Sequence, residues 1–213
     1  MKIRFCLTAF LALLVTACGS SRPSTFYVLD SNDIPQDSIT LANADKMLIG
    51  IEPVFLPAYL DKPQIIIRQP DSVTLTASEF NRWAELLSDV FPRVLADAIS
   101  KNMGYPAAKQ INLNRDLFPY RLYVEVLRFD AAFEKDALLD TWWTIMTNSG
   151  KVIYRTRSVL VEPTGNSYDS VVQSEQKLLQ KLGRIIADYA KKNLKEGRII
   201  NGTEASSGTI RSR

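Results

Sequence analysis

The sequence predicts one α+β domain, a mixed β-sheet with two long amphipathic helices packed on one of its faces. Three observations lead there. Runs of branched and aromatic residues at 25–29, 47–51, 64–68 and 72–76 read as strands. Apolar residues then recur at helical spacing over two long stretches, 83–102 and 168–194. Strand signals return between those stretches, and the order strands, helix, strands, helix is most economically met by placing both helices on one sheet face.

At the start of the chain, Lys2 and Arg4 precede an apolar run from Phe5 to Val15, and the small residues Thr16 and Ala17 follow it. That is the layout of a secretory signal. The run is 11 residues long, whereas a bilayer-spanning helix needs roughly 20. Val15-Thr16-Ala17-Cys18 resembles the bacterial lipobox. The resemblance implies a signal at 1–17 and a mature chain that begins at a lipidated Cys18. A cleaved signal with an incidental cysteine is the alternative. Gly19 follows the cysteine where an aspartate would favour retention in the inner membrane, so the resemblance implies the outer membrane. Several acyl chains on one cysteine hold firmly where a single chain binds only marginally.

Maturation would leave 196 of the 213 residues, and loss of Lys2 and Arg4 takes the formal charge from +3 to +1. Such a balance excludes a nucleic-acid binder on charge grounds. Cys6 leaves with the signal and Cys18 is acylated, so no thiol remains for a disulfide, redox step or metal. Residues 18–24 form the lipidated start and a short polar leash, which reaches only about 20 Å at about 3.4 Å per residue. The domain is expected at 25–194. A body of that size is roughly 40 Å across and does not bridge two membranes alone.

Within the domain, 25–29 opens as a strand and a polar, Pro-containing connection follows to about residue 45. The first helix places Trp83, Leu87, Val90, Phe91, Val94 and Ala98 on one face, with Glu85, Asp89, Arg93 and Ser100 mostly opposite. Pro92 predicts a kink or restart and Gly104 a stop. Alternation at 120–126 and the apolar runs 138–147 and 151–161 predict further strands, the last two joined as a hairpin across Asn148-Ser149-Gly150. The second helix is expected at 168–194 behind Ser167, with Asp169 in its first turn and a stripe of Val171, Leu178, Leu182, Ile185, Ile186 and Tyr189. Glu175 interrupts that stripe. It either receives a partner's cation or, as expected, lies at the stripe's edge with its carboxylate in water. The stretch 195–213 has few apolar residues and reads as disordered.

The chain contains no histidine, which removes the commonest general base and metal ligand. No G-x-S-x-G elbow, phosphate loop, G-x-G-x-x-G or H-E-x-x-H occurs either. The expectation is a binding protein with no catalytic residue, no cofactor and no metal. A lipid hydrolase would need a base that the chain lacks, and a soluble-type lipid carrier would need a closed apolar cavity.

The most distinctive segment is Leu56-Pro57-Ala58-Tyr59-Leu60-Asp61-Lys62-Pro63. Its two prolines each withhold a ladder donor, which suits a rigid loop or edge. Such a segment either presents Tyr59 and Leu60 to another protein or folds them onto the core. Taken with its flanks, I-E-P-V-F-L-P-A-Y-L-D-K-P-Q-I-I-I-R (51–68), followed by F-N-R-W-A-E-L-L (80–87) and R-F-D (128–130), resembles the PqiC-type family of ABC-type transport auxiliary lipoproteins. Phe26-Tyr27-Val28-Leu29, the strand with Trp142 and Trp143, and the helix opening at 168–172 also fit. The resemblance covers about 25–194. It departs at Leu86, where the family pattern leads one to expect proline, and in the tail.

This resemblance implies a periplasm-facing outer-membrane lipoprotein that works with a PqiB-like MCE-domain protein anchored in the inner membrane, in a system moving lipids between the membranes. The role implied is a docking or gating subunit, as a homo-oligomer around the partner's tip. Candidate contacts are Leu56, Pro57, Tyr59, Leu60, Asp61 and Pro63, together with Trp83. For Trp83 a core position is the stronger expectation, because it falls on the helix's apolar face. The main rival is an outer-membrane assembly lipoprotein that binds a β-barrel partner.

Overall fold

A computed structural model of the chain describes residues 22–30, 48–70, 72–105, 107–110 and 118–194. Within them the order is β1 (Thr25–Tyr27), β2 (Ile49–Ile51), β3 (Gln64–Arg68), β4 (Leu75–Trp83), α1 (Leu87–Met103), β5 (Ala108–Gln110), β6 (Tyr120–Ala131), β7 (Asp136–Thr147), β8 (Val152–Pro163) and α2 (Tyr168–Asn193). The strands form one mixed sheet. The expected signal at 1–17, Cys18 and the tail at 195–213 lie outside the described residues.

Strand β6 is the spine of the sheet. One edge pairs antiparallel with β7 from Tyr120↔Thr147 to Ala131↔Ala137, and β7 pairs antiparallel with β8 in turn. The other edge is shared by β2, which pairs parallel at Ile49↔Tyr120, by a lone parallel bridge at Phe55↔Glu125, and by β3 at Ile67↔Ala131. The chain from Ile49 to Ile67 therefore runs once alongside β6. Segment 56–63 leaves that path after Phe55 and returns at β3. Pro57 and Pro63 explain the departure, since neither can donate to the ladder. Beyond β3 lie β4 and then β1, and beyond β2 lies β5.

Alternation separates two faces of the sheet. Leu122, Val124 and Val126 of β6 are buried, then the pairing shifts between Val126 and Arg128, and Phe129 and Ala131 continue the buried set. The bulge at Leu127 is what keeps both halves of this strand facing the core. In β7 the residues from Ala137 to Ile145 alternate in the same way, with Trp143 only 1% exposed. Both helices pack over this face and against each other. Phe91 of α1 meets Phe129 edge-on at 5.6 Å, and Tyr189 of α2 meets Trp143 at 6.0 Å. Burying each such large side chain contributes about 1.5–3 kcal/mol. At the helix crossing, a Cβ added to Gly183 would lie 2.4 Å from the Ala98 Cβ. Only the missing side chain lets the two backbones come so close.

The caps follow the expected chemistry. Ser167 accepts from the Ser170 backbone N–H and the Ser170 hydroxyl reciprocates, a capping box for α2. Gly104 ends α1 at φ 81°, and its N–H reaches the Ser100 and Lys101 carbonyls. Gly150 takes φ 91° in the β7–β8 turn. Leu86, standing where proline was expected, has φ −63° and ψ 145°, a backbone that proline also adopts.

Several expectations are corrected. The strand expected at 72–76 instead runs from Leu75 to Trp83, and Trp83 ends it rather than opening the helix. The Trp83 N–H donates to the Pro63 carbonyl, and an aromatic side chain favours a half-buried strand, so the extended backbone wins over helical spacing. Pro92 causes no restart: α1 runs through it, and the ring forfeits one helical bond, to the Ser88 carbonyl. Ser100 is buried rather than opposite the apolar face, because its hydroxyl binds both the carbonyl and the N–H of Ala108. Glu175 does not reach water; it is 2% exposed. Ile185 lies largely outside the stripe, at 38% exposed.

Candidate functional site on the uncovered sheet face

The sheet face away from the helices carries charges and exposed apolar groups. At one end, a ladder of ions crosses four strands. Arg68 of β3 donates from Nε and Nη2 to the two oxygens of Asp130 on β6, at 2.8 and 2.7 Å. Arg128 donates to the same carboxylate at 3.0 and 2.9 Å. Next to them, Arg157 of β8 forks onto Asp140 of β7 at 2.7 and 2.6 Å. Farther along, Arg121 and the Tyr123 hydroxyl both donate to Glu52, each at 3.3 Å.

Burial alone would push the Asp130 carboxyl upward, but hydrogen bonds from Arg68 and Arg128 outweigh it and hold the group below its ordinary value. The Arg157 fork likewise lowers Asp140. These carboxylates are engaged and lie beneath their cations: Asp130 is fully buried, while Arg128 and Arg157 remain 37% and 49% exposed. The surface that meets solvent is therefore weighted toward guanidinium.

Segment 56–63 packs down beside this ladder. Leu60 is buried, Leu56, Pro57 and Tyr59 are half-buried, and Asp61 and Pro63 are exposed. The Leu60 N–H closes a turn onto the Pro57 carbonyl at 2.9 Å. Burial and the nearby Asp130 raise the Tyr59 phenol, with Arg68 and Arg128 opposing, which places the ring against the ion cluster. Of the two placements open from sequence, Leu60 takes the inward one and Tyr59 an intermediate one. Leu60 and Trp83 belong to the core, so the segment's outer surface is carried by Leu56, Pro57, Tyr59, Asp61 and Pro63. Arg68, Arg128 and Asp130 come from two separate motifs, I-I-I-R and R-F-D, that meet here only in space.

Beside the loop's entry point is a shallow depression of about 400 Å³, lined in part by Phe55, Tyr123, Trp142, Thr144, Met146 and Arg155. Phe55 is 66% exposed. The Arg155 guanidinium lies over the Trp142 ring at 5.1 Å. From sequence, Phe55 and Trp142 stood out only through the family resemblance, and none of these residues as a contact. Their signal was parity: once Trp143 is assigned to the core with Leu139 and Ile145, Trp142 must point to the other face. Among the described residues, no cluster of His, Cys, Asp and Glu is arranged to hold a metal ion, and no helix is long and apolar enough to cross a membrane. The arrangement presents anchored cations beside an exposed Phe55 and the half-buried Tyr123 and Trp142.

Two solved structures share this fold. The crystal structure of an uncharacterized protein aligns with a TM-score of 0.63 at 19% identity, over 78% of this chain and 98% of its own. A protein from Xanthomonas campestris aligns with a TM-score of 0.58 at 15% identity, over 78% and 94%. No curated protein matches the chain. The model of the ABC-type transport auxiliary lipoprotein component family matches residues 27–187, from the end of β1 through most of α2 and including the motifs that meet at Asp130, and the chain belongs to that family.

Proposed function

We propose that this lipoprotein is attached to the outer membrane through lipidated Cys18, faces the periplasm, and serves as a docking or gating subunit for an MCE-domain protein anchored in the inner membrane. It acts without catalysis, in a system that moves lipids between the two membranes. The observation that carries this role is the family membership of the whole folded domain. Three features support it. Val15-Thr16-Ala17-Cys18 has lipobox character and Gly19 follows it. The leash after Cys18 is too short to let the domain leave its membrane by more than about 20 Å. Among the described residues, one face of the sheet carries no helix and displays the exposed Phe55 and cationic groups.

The leash enters at β1, which pairs with the end of β4, and Trp83 there is bonded to Pro63. Segment 56–63 thus lies beside the anchored edge of the sheet, with Leu56, Pro57, Tyr59, Asp61 and Pro63 as its contact surface. Several copies would surround the tip of one partner.

The test is to crosslink in cells, purify the tagged full-length protein from outer membranes in detergent, and identify what comes with it by mass spectrometry. An MCE-domain protein is expected, and it is lost when Cys18→Ser releases the anchor or Tyr59→Asp alters the loop surface. Recovery of a β-barrel protein without any MCE-domain protein sinks the docking role and favours an assembly lipoprotein.

A further inference from the structure

Four arginines on the uncovered face hold a carboxylate within the chain: Arg68 and Arg128 share Asp130, Arg121 holds Glu52, and Arg157 holds Asp140. Arg155 departs from this pattern. Its guanidinium lies over Trp142, and no carboxylate among the described residues forms an ion pair with it. Glu125 lines the same depression and stands opposite Trp142 in the β6–β7 register, whereas Arg155 stands opposite Thr144 in the β7–β8 register. Phe55 stands exposed across the depression, and Met146 lines it.

A cation stacked on a tryptophan, with no ion pair among the described residues and with Phe55 and Met146 in the same depression, is half of a recognition site. Tryptophan, tyrosine and arginine are the residue types that anchor protein interfaces. We infer that this depression docks a segment of a partner protein that carries an acidic residue for Arg155 and an apolar side chain for the gap between Phe55 and Trp142. The unmatched charge identifies the partner's chemistry. A carboxylate would form a charge-assisted, two-point contact with the guanidinium, as Asp140 does with neighbouring Arg157. Glu125, opposite Trp142 in the neighbouring strand, repels a second carboxylate and so sets the direction in which the segment lies. The depression is open, which suits a side chain on a protein surface better than an enclosed acyl chain.

This inference rests on the docking role proposed above and adds the chemistry of the contact. It is tested by placing a photocrosslinking amino acid at Phe55 in the full-length, membrane-anchored protein and, as a control, at Ile185 on α2. The expected product from Phe55, absent from Ile185, is a peptide of the MCE-domain protein that contains Asp or Glu. Arg155→Glu is expected to lower its yield roughly tenfold, the size of one lost charge-assisted contact. Arg155→Lys retains part of it. Reversing the identified carboxylate to lysine restores crosslinking to Arg155→Glu. Arg155 is exposed, so an unchanged thermal melt separates loss of binding from loss of fold.

Crosslinks from Phe55 to phospholipid or to a second copy of this chain overturn the inference, as does the absence of any crosslink. So does a yield that Arg155→Glu leaves unchanged, or a charge reversal that fails to rescue. If the MCE-domain protein co-purifies while Arg155→Glu has no effect, only this inference fails. If an acidic peptide of a different protein is captured, depends on Arg155 and is rescued by charge reversal, the contact chemistry stands and the MCE partner does not.

Discussion

Replacing Asp130 by asparagine tests the ion ladder and the loop above it together. The carboxylate is fully buried and accepts from Arg68 at 2.7 and 2.8 Å and from Arg128 at 2.9 and 3.0 Å. Breaking a wholly buried ion pair by removing one partner costs about 3–5 kcal/mol. Here both guanidiniums keep some contact with water, at 22% and 37% exposure, and recover part of their hydration. The asparagine also retains one carbonyl acceptor. The expected loss is therefore about 2–3 kcal/mol, within the range for hydrogen bonds to charged groups. Urea denaturation of the purified chain at neutral pH, followed by tryptophan fluorescence, measures it.

The pH dependence supplies a second signature. The Asp130 pKa in the folded state lies below its ordinary 3.8. Its contribution is thus present above the unfolded-state value and is lost as pH falls through the folded one. Wild type should show that acid-side loss, and Asp130→Asn should lack this part of it. A change smaller than about 0.5 kcal/mol, the scale of an ordinary surface substitution, refutes the assignment of the ladder as a structural clamp. So does a loss that is the same at every pH.

Other perturbations follow from single contacts. Gly183→Ala, a change that ordinarily favours a helix by about 1 kcal/mol, should instead lower stability by about 1–2 kcal/mol. Its Cβ would meet the Ala98 Cβ at 2.4 Å and the Ala98 backbone carbon at 2.9 Å, and overpacking outweighs propensity; Ala98→Gly in the same chain should not restore the loss, because the backbone contact remains and a helix glycine costs about 1 kcal/mol, and a more stable Gly183→Ala contradicts the close crossing. Burial, reinforced by Asp130, raises the Glu175 carboxyl well above 4.5. Stability should therefore decline as pH rises from about 4.5 through its folded-state value, and Glu175→Gln should flatten that slope in thermal melts; parallel slopes contradict a buried neutral acid. Ser100→Ala removes both hydrogen bonds to Ala108 and should cost about 1–3 kcal/mol by urea denaturation. An unchanged midpoint would mean that β5 is not held by that hydroxyl.

Local signals were enough to identify most elements. Gln64–Arg68 is observed with the limits expected from its branched run. Ser167 and Gly104 mark helix ends because their chemistry acts on the adjacent backbone. Trp83 was misplaced because it satisfies two periods at once. It continues the apolar spacing of 87–98, yet its N–H is claimed by Pro63, twenty positions earlier. Ser100 was misplaced for a related reason, since its burial is compensated by a strand that follows the helix. The candidate site was visible only in fragments: segment 56–63 stood out through its prolines, and R-F-D through its resemblance to the family pattern.

By itself the sequence determined the fold class, the family, and the boundaries that depend on near neighbours, because strand alternation, helical stripes and caps are written within a few residues of where they act. Tertiary structure alone decided which charges meet and which face is left open. Arg68 and Asp130 lie 62 residues apart, and nothing local marks them as partners. Likewise, Phe55, Trp142 and Arg155 come together only through the pairing of β7 with both β6 and β8 and the bridge from Phe55 to β6. Sheet register converts distant positions into neighbours, and a shift of one residue would exchange Trp142 for Trp143 on the open face.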